Sequence, residues 1–334
     1  MNKKIVSLLQ YLVVLGVGIF LVWWSIGKIE EKDWHEIKLA FKTTDYGLIF
    51  PVVGILLLSH YSRALRWKIL MDPLGYKPSI INTFLAVLIG YLANLAFPRL
   101  GEVLKCTILA RYEKVPANKL VGTIVAERAF DLICLTLVIV ITILTQLDIL
   151  GNFASEKLND IFRNKDGTFP ITKLIIISGL LIIILLITRY FFHRFAHISI
   201  IQKIKILING IWQGLISVKD VRQKGWFFFH TVFIWICYLL SIRIGFMAME
   251  GTSIYGIKES FSVLTMGSIG MIATQGGIGA YPVLVQETMM LYGINENLGK
   301  AFGWLLWLVQ FFMVLLFGFI SLGLLPVINR NKKV

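Results

Sequence analysis

Several long stretches of this chain carry no charge at all, which restricts it to folds that lipid can solvate. Between Leu174 and Ile187 there is not one ionised side chain, and every residue but Ser178 and Gly179 is Leu or Ile. A helix needs about 20 apolar residues to cross a bilayer. Segments 5–27, 47–66, 119–146, 171–190, 226–249 and 300–327 meet that length. Two more apolar runs, 80–110 and 260–293, are broken internally at Phe97-Pro98-Arg99-Leu100-Gly101-Glu102 and at Thr274-Gln275-Gly276-Gly277-Ile278-Gly279. A membrane β-barrel requires strands of alternating polarity, and unbroken apolar runs exclude it. Composition agrees: 57% of residues are hydrophobic and 16% charged, against roughly a quarter charged in soluble domains, with a mean hydropathy of +0.77. Lys3 and Lys4 precede the first run as in a signal peptide. The run continues to Ile26 with no small-residue cleavage site, so a first span is expected there.

The net charge of +14 fits loops on the cytoplasmic side and anionic headgroups rather than nucleic acid, because no basic soluble module is present. Segment 189–225 holds Arg189, Arg194, Lys203, Lys205, Lys219, Arg222 and Lys224 against Asp220. It is expected in the cytoplasm together with both termini, at the plasma or inner membrane. Both termini inside require an even number of crossings. The six uninterrupted segments satisfy this if the broken ones are hairpins that enter and leave on one side; full crossings by both would give eight. The expected fold is thus an all-α polytopic membrane protein of six to eight transmembrane helices with two broken, re-entrant hairpins. It forms a single domain over 1–334. The order span, span, hairpin, span occurs twice, in halves 1–146 and 171–327, the pattern of an inverted repeat. Residues 203–219 show helical periodicity with Trp212 at the boundary, as in an amphipathic interfacial helix or a simple connecting one.

Charges within apolar segments cost about 2.5–3.5 kcal/mol each at mid-membrane, so they mark the candidate site. Arg63 and Arg66 share a helix face, either as headgroup anchors or as a phosphate clamp. Asn94, Arg99, Glu102 and Lys105 surround a Pro/Gly break, where freed backbone polar groups need protein or a polar cavity around them. Glu127 and Asp131 lie four apart, with Arg128 beside them, as a network that satisfies the arginines. Gly276, Gly277 and Gly279 form a turn into a helix N-terminus whose N–H groups suit an anion. Glu287 follows and could pair with Arg243. Cys106, Cys134 and Cys237 include no CxxC pair, and His193 and His197 stand without further ligands. No metal, cofactor or catalytic motif is expected.

Taken in order, these pieces resemble a known family: Ser62 with Arg66-Trp67, then Asn94, Pro98 and Gly101-Glu102, then Glu127-Arg128 with Asp131, then Gly276-Gly277-x-Gly279. The resemblance is to the lysylphosphatidylglycerol synthase transmembrane-region family, a flippase-like domain, over nearly the whole chain. Thr274-Gln275 stands where that family usually has a proline. The resemblance implies a plasma-membrane protein with a lipid-sized cavity. In the fused relatives, the domain moves an aminoacylated phospholipid between leaflets. Those relatives also carry a soluble aminoacyl-transferase domain, and the chain ends at Val334, so the synthase activity is not expected here.

Three functions are therefore in view. The first is a transporter for an anionic phospholipid or a polyprenyl-phosphate conjugate. There Arg63, Arg66, Arg99 and Arg128 receive the phosphate, and Glu102, Glu127 and Asp131 hold those arginines. The second is a membrane enzyme acting on lipid-linked substrates through Glu127 and Asp131. The third is an accessory subunit working with envelope-synthesis enzymes.

Overall fold

The computed structural model describes residues 15–16, 18–25, 27, 31–97, 99–146, 219 and 221–330. The span expected at 171–190 and the amphipathic segment expected at 203–219 lie outside these residues, apart from Lys219. The chain divides into two compact units, residues 1–142 with 214–334, and residues 143–213. The helical bundle belongs to the first unit.

Every regular element among the described residues is helical, so the chain is an all-α membrane protein. Residues 18–25 are helical. They precede α1 (Glu31–Lys42), α2 (Ile49–Met71), α3 (Ile80–Ala96), α4 (Leu100–Glu113) and α5 (Ala117–Thr145). After them come α6 (Lys224–Ala248), α7 (Ile257–Ala273), α8 (Ala280–Met290) and α9 (Glu296–Ile328). Among the described residues, three stretches are long and apolar enough to cross a membrane: Tyr46–Leu74, Lys224–Ala248 and Glu296–Ile328. Helix α5 has 29 residues and carries Glu127, Arg128 and Asp131 inside it.

Between the expected spans 5–27 and 47–66 lies α1, whose Ile37 is buried. Asn297 at the start of α9 donates hydrogen bonds to Asp33 and Glu36 of α1, both at 2.9 Å. Helix α2 also runs on past 66, the expected end of its span, to Met71. The residues beyond 66 are core: Trp67 and Met71 are fully buried.

Both broken segments fold as antiparallel helical hairpins. In the first, the base is closed by Glu113, which accepts hydrogen bonds from the Ser79 N–H and the Asn82 amide. Near its tip the backbones of Gly90 and Gly101 touch. A Cβ on Gly101 would sit 2.0 Å from the Gly90 carbonyl oxygen, so no larger residue fits there. The break between α3 and α4 is completed by Arg99 in the left-handed region, φ 65°. In the second hairpin, Ser262 bonds the Tyr292 hydroxyl near the base at 2.7 Å, and Gly270 lies against the backbone of Ala280 and Tyr281 near the tip.

Helix α9 shows how the hairpins are disposed. Along it, Gly299 lies against Gln286, Gly303 against Pro282, and the Trp307 indole donates to the Gly276 carbonyl at 2.9 Å. Further on, Gly318 lies against Leu92. Leu325 packs with Leu85 and Ile89. Asn329 exchanges two hydrogen bonds with Asn82, both at 2.8 Å. The second hairpin therefore covers the first half of α9 and the first hairpin covers the second half, base outward in each case. Their tips meet between, where the Gln275 amide donates to the Asn94 carbonyl and Gly276 contacts Leu95. Helices α2 and α6 complete the bundle as an antiparallel pair: Asp45 N–H donates to the Ala248 carbonyl at one end, and Ser62 meets His230 towards the other.

Candidate functional site

The charges of three elements converge beside the first hairpin. Glu127 is fully buried on α5. Its Oε1 accepts from Arg63 Nη1 at 2.9 Å and Arg66 Nη2 at 3.4 Å, and its Oε2 accepts from Lys105 Nζ at 2.8 Å. One turn further along α5, Asp131 takes the same two arginines at 2.7 Å each, one per carboxylate oxygen. The i, i+3 spacing of the arginines and the i, i+4 spacing of the acids place both pairs on facing stripes. Each removal of an ion from water costs several kcal/mol unless partners replace the solvent, and this cross-bracing supplies them. Arg66 is fully buried, so the anchor reading, in which it reaches the headgroups, does not hold.

Other residues fill the remaining valences. The Tyr238 hydroxyl accepts from Arg63 Nη2 and Thr231 accepts from Arg66 Nη1. Lys105 stands 4.5 Å from the centre of the Trp67 ring, and the Trp67 indole donates to Thr123 at 2.8 Å. His60 is buried and packs its ring against Tyr91, the centroids 4.4 Å apart and the planes tilted by 46°. Sequence reasoning does not find Tyr91, Tyr238, Thr231 or His60. The α6 residues lie more than 160 positions from the arginines they meet, and an isolated Tyr or Thr in an apolar helix carries no local signal. His60 alone offers one, as a polar residue three positions before Arg63 on the same face.

On its outer side the network borders a narrow cleft of about 10 Å³ lined by Arg63, Tyr91, Asn94, Glu102, Lys105 and Arg128, among others. Arg128 reaches into it half-exposed, its Nη2 donating to Glu102 Oε1 at 3.0 Å and its Nη1 3.9 Å from Asp131. Asn94 fixes the cleft wall by accepting from the Gly101 N–H at 2.8 Å. The cleft volume is far below the roughly 300–1,000 Å³ of small-molecule sites, so the lipid-sized cavity that the family resemblance implies is not open in this conformation. Across the whole cluster, Arg63, Arg66, Lys105 and Arg128 face Glu102, Glu127 and Asp131, which leaves one positive charge in surplus.

Thus Arg63, Asn94, Glu102, Lys105 and Arg128 meet at the cleft, with Arg66, Glu127 and Asp131 behind it. Arg99 lies apart, exposed at the hairpin tip and outside the cleft lining. Gly276, Gly277 and Gly279 belong to the second hairpin. The N–H groups of Gly277, Ile278 and Ala280 donate to the carbonyls of Thr274, Gln275 and Ile278. The positive φ angles of 58°, 74° and 72° serve close packing there. Gly276 lies against Leu95, Gly277 against Met271 and Tyr281, and Gly279 against Gly18 and Leu21. Glu287 is exposed on α8, and Arg243 forms no ion pair with it; Nη1 of Arg243 is buried without a hydrogen-bond partner. No group of three or more His, Cys, Asp or Glu side chains among the described residues is arranged to hold a metal.

Comparison with known proteins agrees with this architecture. A membrane protein of Methanocaldococcus jannaschii, UPF0104 membrane protein MJ1595, is 23% identical over 96% of this chain and 94% of its own length. No solved structure matches the chain. The family description "Lysylphosphatidylglycerol synthase TM region" matches residues 8–318, and the chain, with its broken hairpins and buried Arg–Glu–Asp network, belongs to that family.

Proposed function

We propose that the chain is a flippase-like transporter of the plasma membrane, moving or presenting an anionic lipid, either a phospholipid or a polyprenyl-phosphate conjugate, between leaflets. The observation that carries this reading is the cleft beside the first hairpin, a narrow polar space where Arg63, Lys105 and Arg128 converge. Arginine and lysine donors in a low-dielectric wall suit a phosphate. The acids are engaged as counter-ions to the buried cations, and that occupation favours transport over acid–base catalysis. The opposed hairpins along α9 fit two inverted halves, 1–146 and 171–327, that alternate access to a shared centre. The Lys/Arg-rich segment 189–225 supports a cytoplasmic position for that loop and for both termini. Envelope-synthesis enzymes are the natural suppliers and acceptors of such a lipid.

The test is headgroup translocation in liposomes. Arg128 is half-exposed, so Arg128→Gln leaves the folded bundle intact. Translocation of a fluorescent anionic phospholipid should slow about tenfold in that variant, since a charge-assisted hydrogen bond is worth about that factor. An undiminished rate would remove the cleft from the transport path. Arg99→Ala in the same assay shows whether the tip arginine shares the work.

A further inference from the structure

In this conformation the cleft has room for about one water molecule, so what it admits is a water and the proton that a water carries. Its wall holds the groups that a proton needs. Lys105 and Glu102 both line it, three positions apart on α4, which sets their Cβ atoms about 5–6 Å from each other. Lys105 is buried on Glu127. Glu102 is partly exposed and engages Arg128 through Oε1, while its Oε2 is buried and has no hydrogen-bond partner. A buried carboxylate oxygen without a donor is costly, and a cleft water meets that need. The pair thus leads from the buried network towards the surface.

Charge decides which group can give a proton up. Behind the cleft, Arg63, Arg66 and Lys105 face only Glu127 and Asp131, one positive charge in surplus among side chains no more than 15% exposed. The outer pair, Arg128 and Glu102, is neutral. Facing Lys105 are Glu127 and Arg128 from α5, Arg63 from α2, Tyr91 from α3 and Glu102 from its own helix. Guanidinium groups keep their protons. Loss of a proton from Tyr91 cancels the surplus by adding a buried anion. Loss from Lys105 removes a buried cation and leaves two arginines against two acids, which is the cheaper change. Resting on the transport reading above, we propose that Lys105 holds a coupling proton that moves with each monoanionic lipid, and that Glu102 relays it to and from the outside. In the release step a Lys105 Nζ–H bond breaks, the cleft water takes that proton and passes one to Glu102 Oε2, and Glu102 delivers it to solvent. The amine keeps the electron pair, the carboxylate is restored, and one unit of charge leaves the network. The protonated network favours an anion and the neutral one does not, which links the two movements.

Phosphatidylcholine vesicles that hold the purified full chain and fluorescent phosphatidylglycerol test this under an imposed pH difference. Joint movement of a proton and a monoanion is electroneutral. One pH unit, acid on the side where the label starts, should therefore drive the wild type to about a tenfold excess of label in the far leaflet. Lys105→Arg keeps the charge and cannot give it up, so its ratio should stay near one. Glu102→Gln lacks the relay carboxylate and should approach the tenfold ratio more slowly. An even distribution of label that the wild type does exchange overturns the coupling and leaves the transport reading standing. No exchange at all removes that reading and this proposal with it. A tenfold ratio retained by Lys105→Arg overturns the assignment to Lys105, and an unchanged rate in Glu102→Gln overturns the relay. The unfolding midpoint of Lys105→Met needs no lipid: with two arginines left against two acids, it should match the wild type. A marked drop would make Lys105 a structural counter-ion and overturn the charge argument.

Discussion

From Gly267 to Gln286 the second hairpin carries no charged side chain, whereas from Asn94 to Lys105 the first carries Arg99, Glu102 and Lys105. Both use one backbone device, an apolar helix broken near its middle and doubled back through glycine contacts. They fill it with opposite chemistry. Around the second tip the contacts are Tyr281, Met271, Leu21 and Trp307, and the loop's N–H groups turn inward. Around the first tip lie a cleft and a charge network braced by α2 and α5. Breaking a helix at membrane depth therefore does not by itself make a polar site; the ionised residues of neighbouring helices decide which break becomes one. The second break serves as a close-packed stop against which the first is seated.

The largest way to break the contrast is to remove the counter-charge on which the first hairpin depends. Glu127→Gln leaves Arg63, Arg66 and Lys105 buried with one fewer acid, and should cost about 3–5 kcal/mol of stability, read as a lowered midpoint of thermal or detergent unfolding. A midpoint near the wild type would mean that Asp131 alone balances the arginines. The two tips should be more alike in their packing. Gly101→Ala and Gly270→Ala each push a methyl group into backbone, and each should cost about 3 kcal/mol. If only one is costly, the hairpins differ in rigidity as well as in charge. The smallest effect belongs to Trp307→Phe, which deletes the donor to the Gly276 carbonyl. It should cost about 1 kcal/mol and raise hydrogen exchange around Gly276–Gly279 while leaving the first hairpin unchanged. Exchange rising equally around Asn94–Lys105 would show that the tips open together.

Much of this architecture is legible in the sequence because it rests on local rules. Pro98 with Gly101, and Gly276-Gly277 with Gly279, concentrate helix-weakening residues within a few positions of an apolar run, and that signals both hairpins. Ionised residues in apolar runs have to cluster, which brings Glu127 and Asp131 to Arg63 and Arg66. Sequence alone ends the span beginning at 47 too early, because two arginines at the edge of an apolar run look the same whether they reach water or a buried acid. It also hides helix α1, whose charges mask the apolar spacing of Trp34, Ile37 and Phe41. The reciprocal amides of Asn82 and Asn329 depend on how α9 passes the first hairpin, and no pairwise rule in one sequence encodes a contact across so many positions.

The tip-to-tip arrangement has a consequence for how the bundle keeps the membrane sealed. At 1.5 Å per residue, the 17-residue arms α3 and α7 each reach only about 25 Å, and the 33-residue α9 about 50 Å. A hydrocarbon core is about 30 Å thick, so neither hairpin is a full plug. They lie end to end along α9, and the joint between them consists of Leu95, Asn94, Gln275, Gly276 and the Trp307 indole. Any ion path along this side of α9 would have to cross that joint, so larger or smaller residues there would show first as a change in leak.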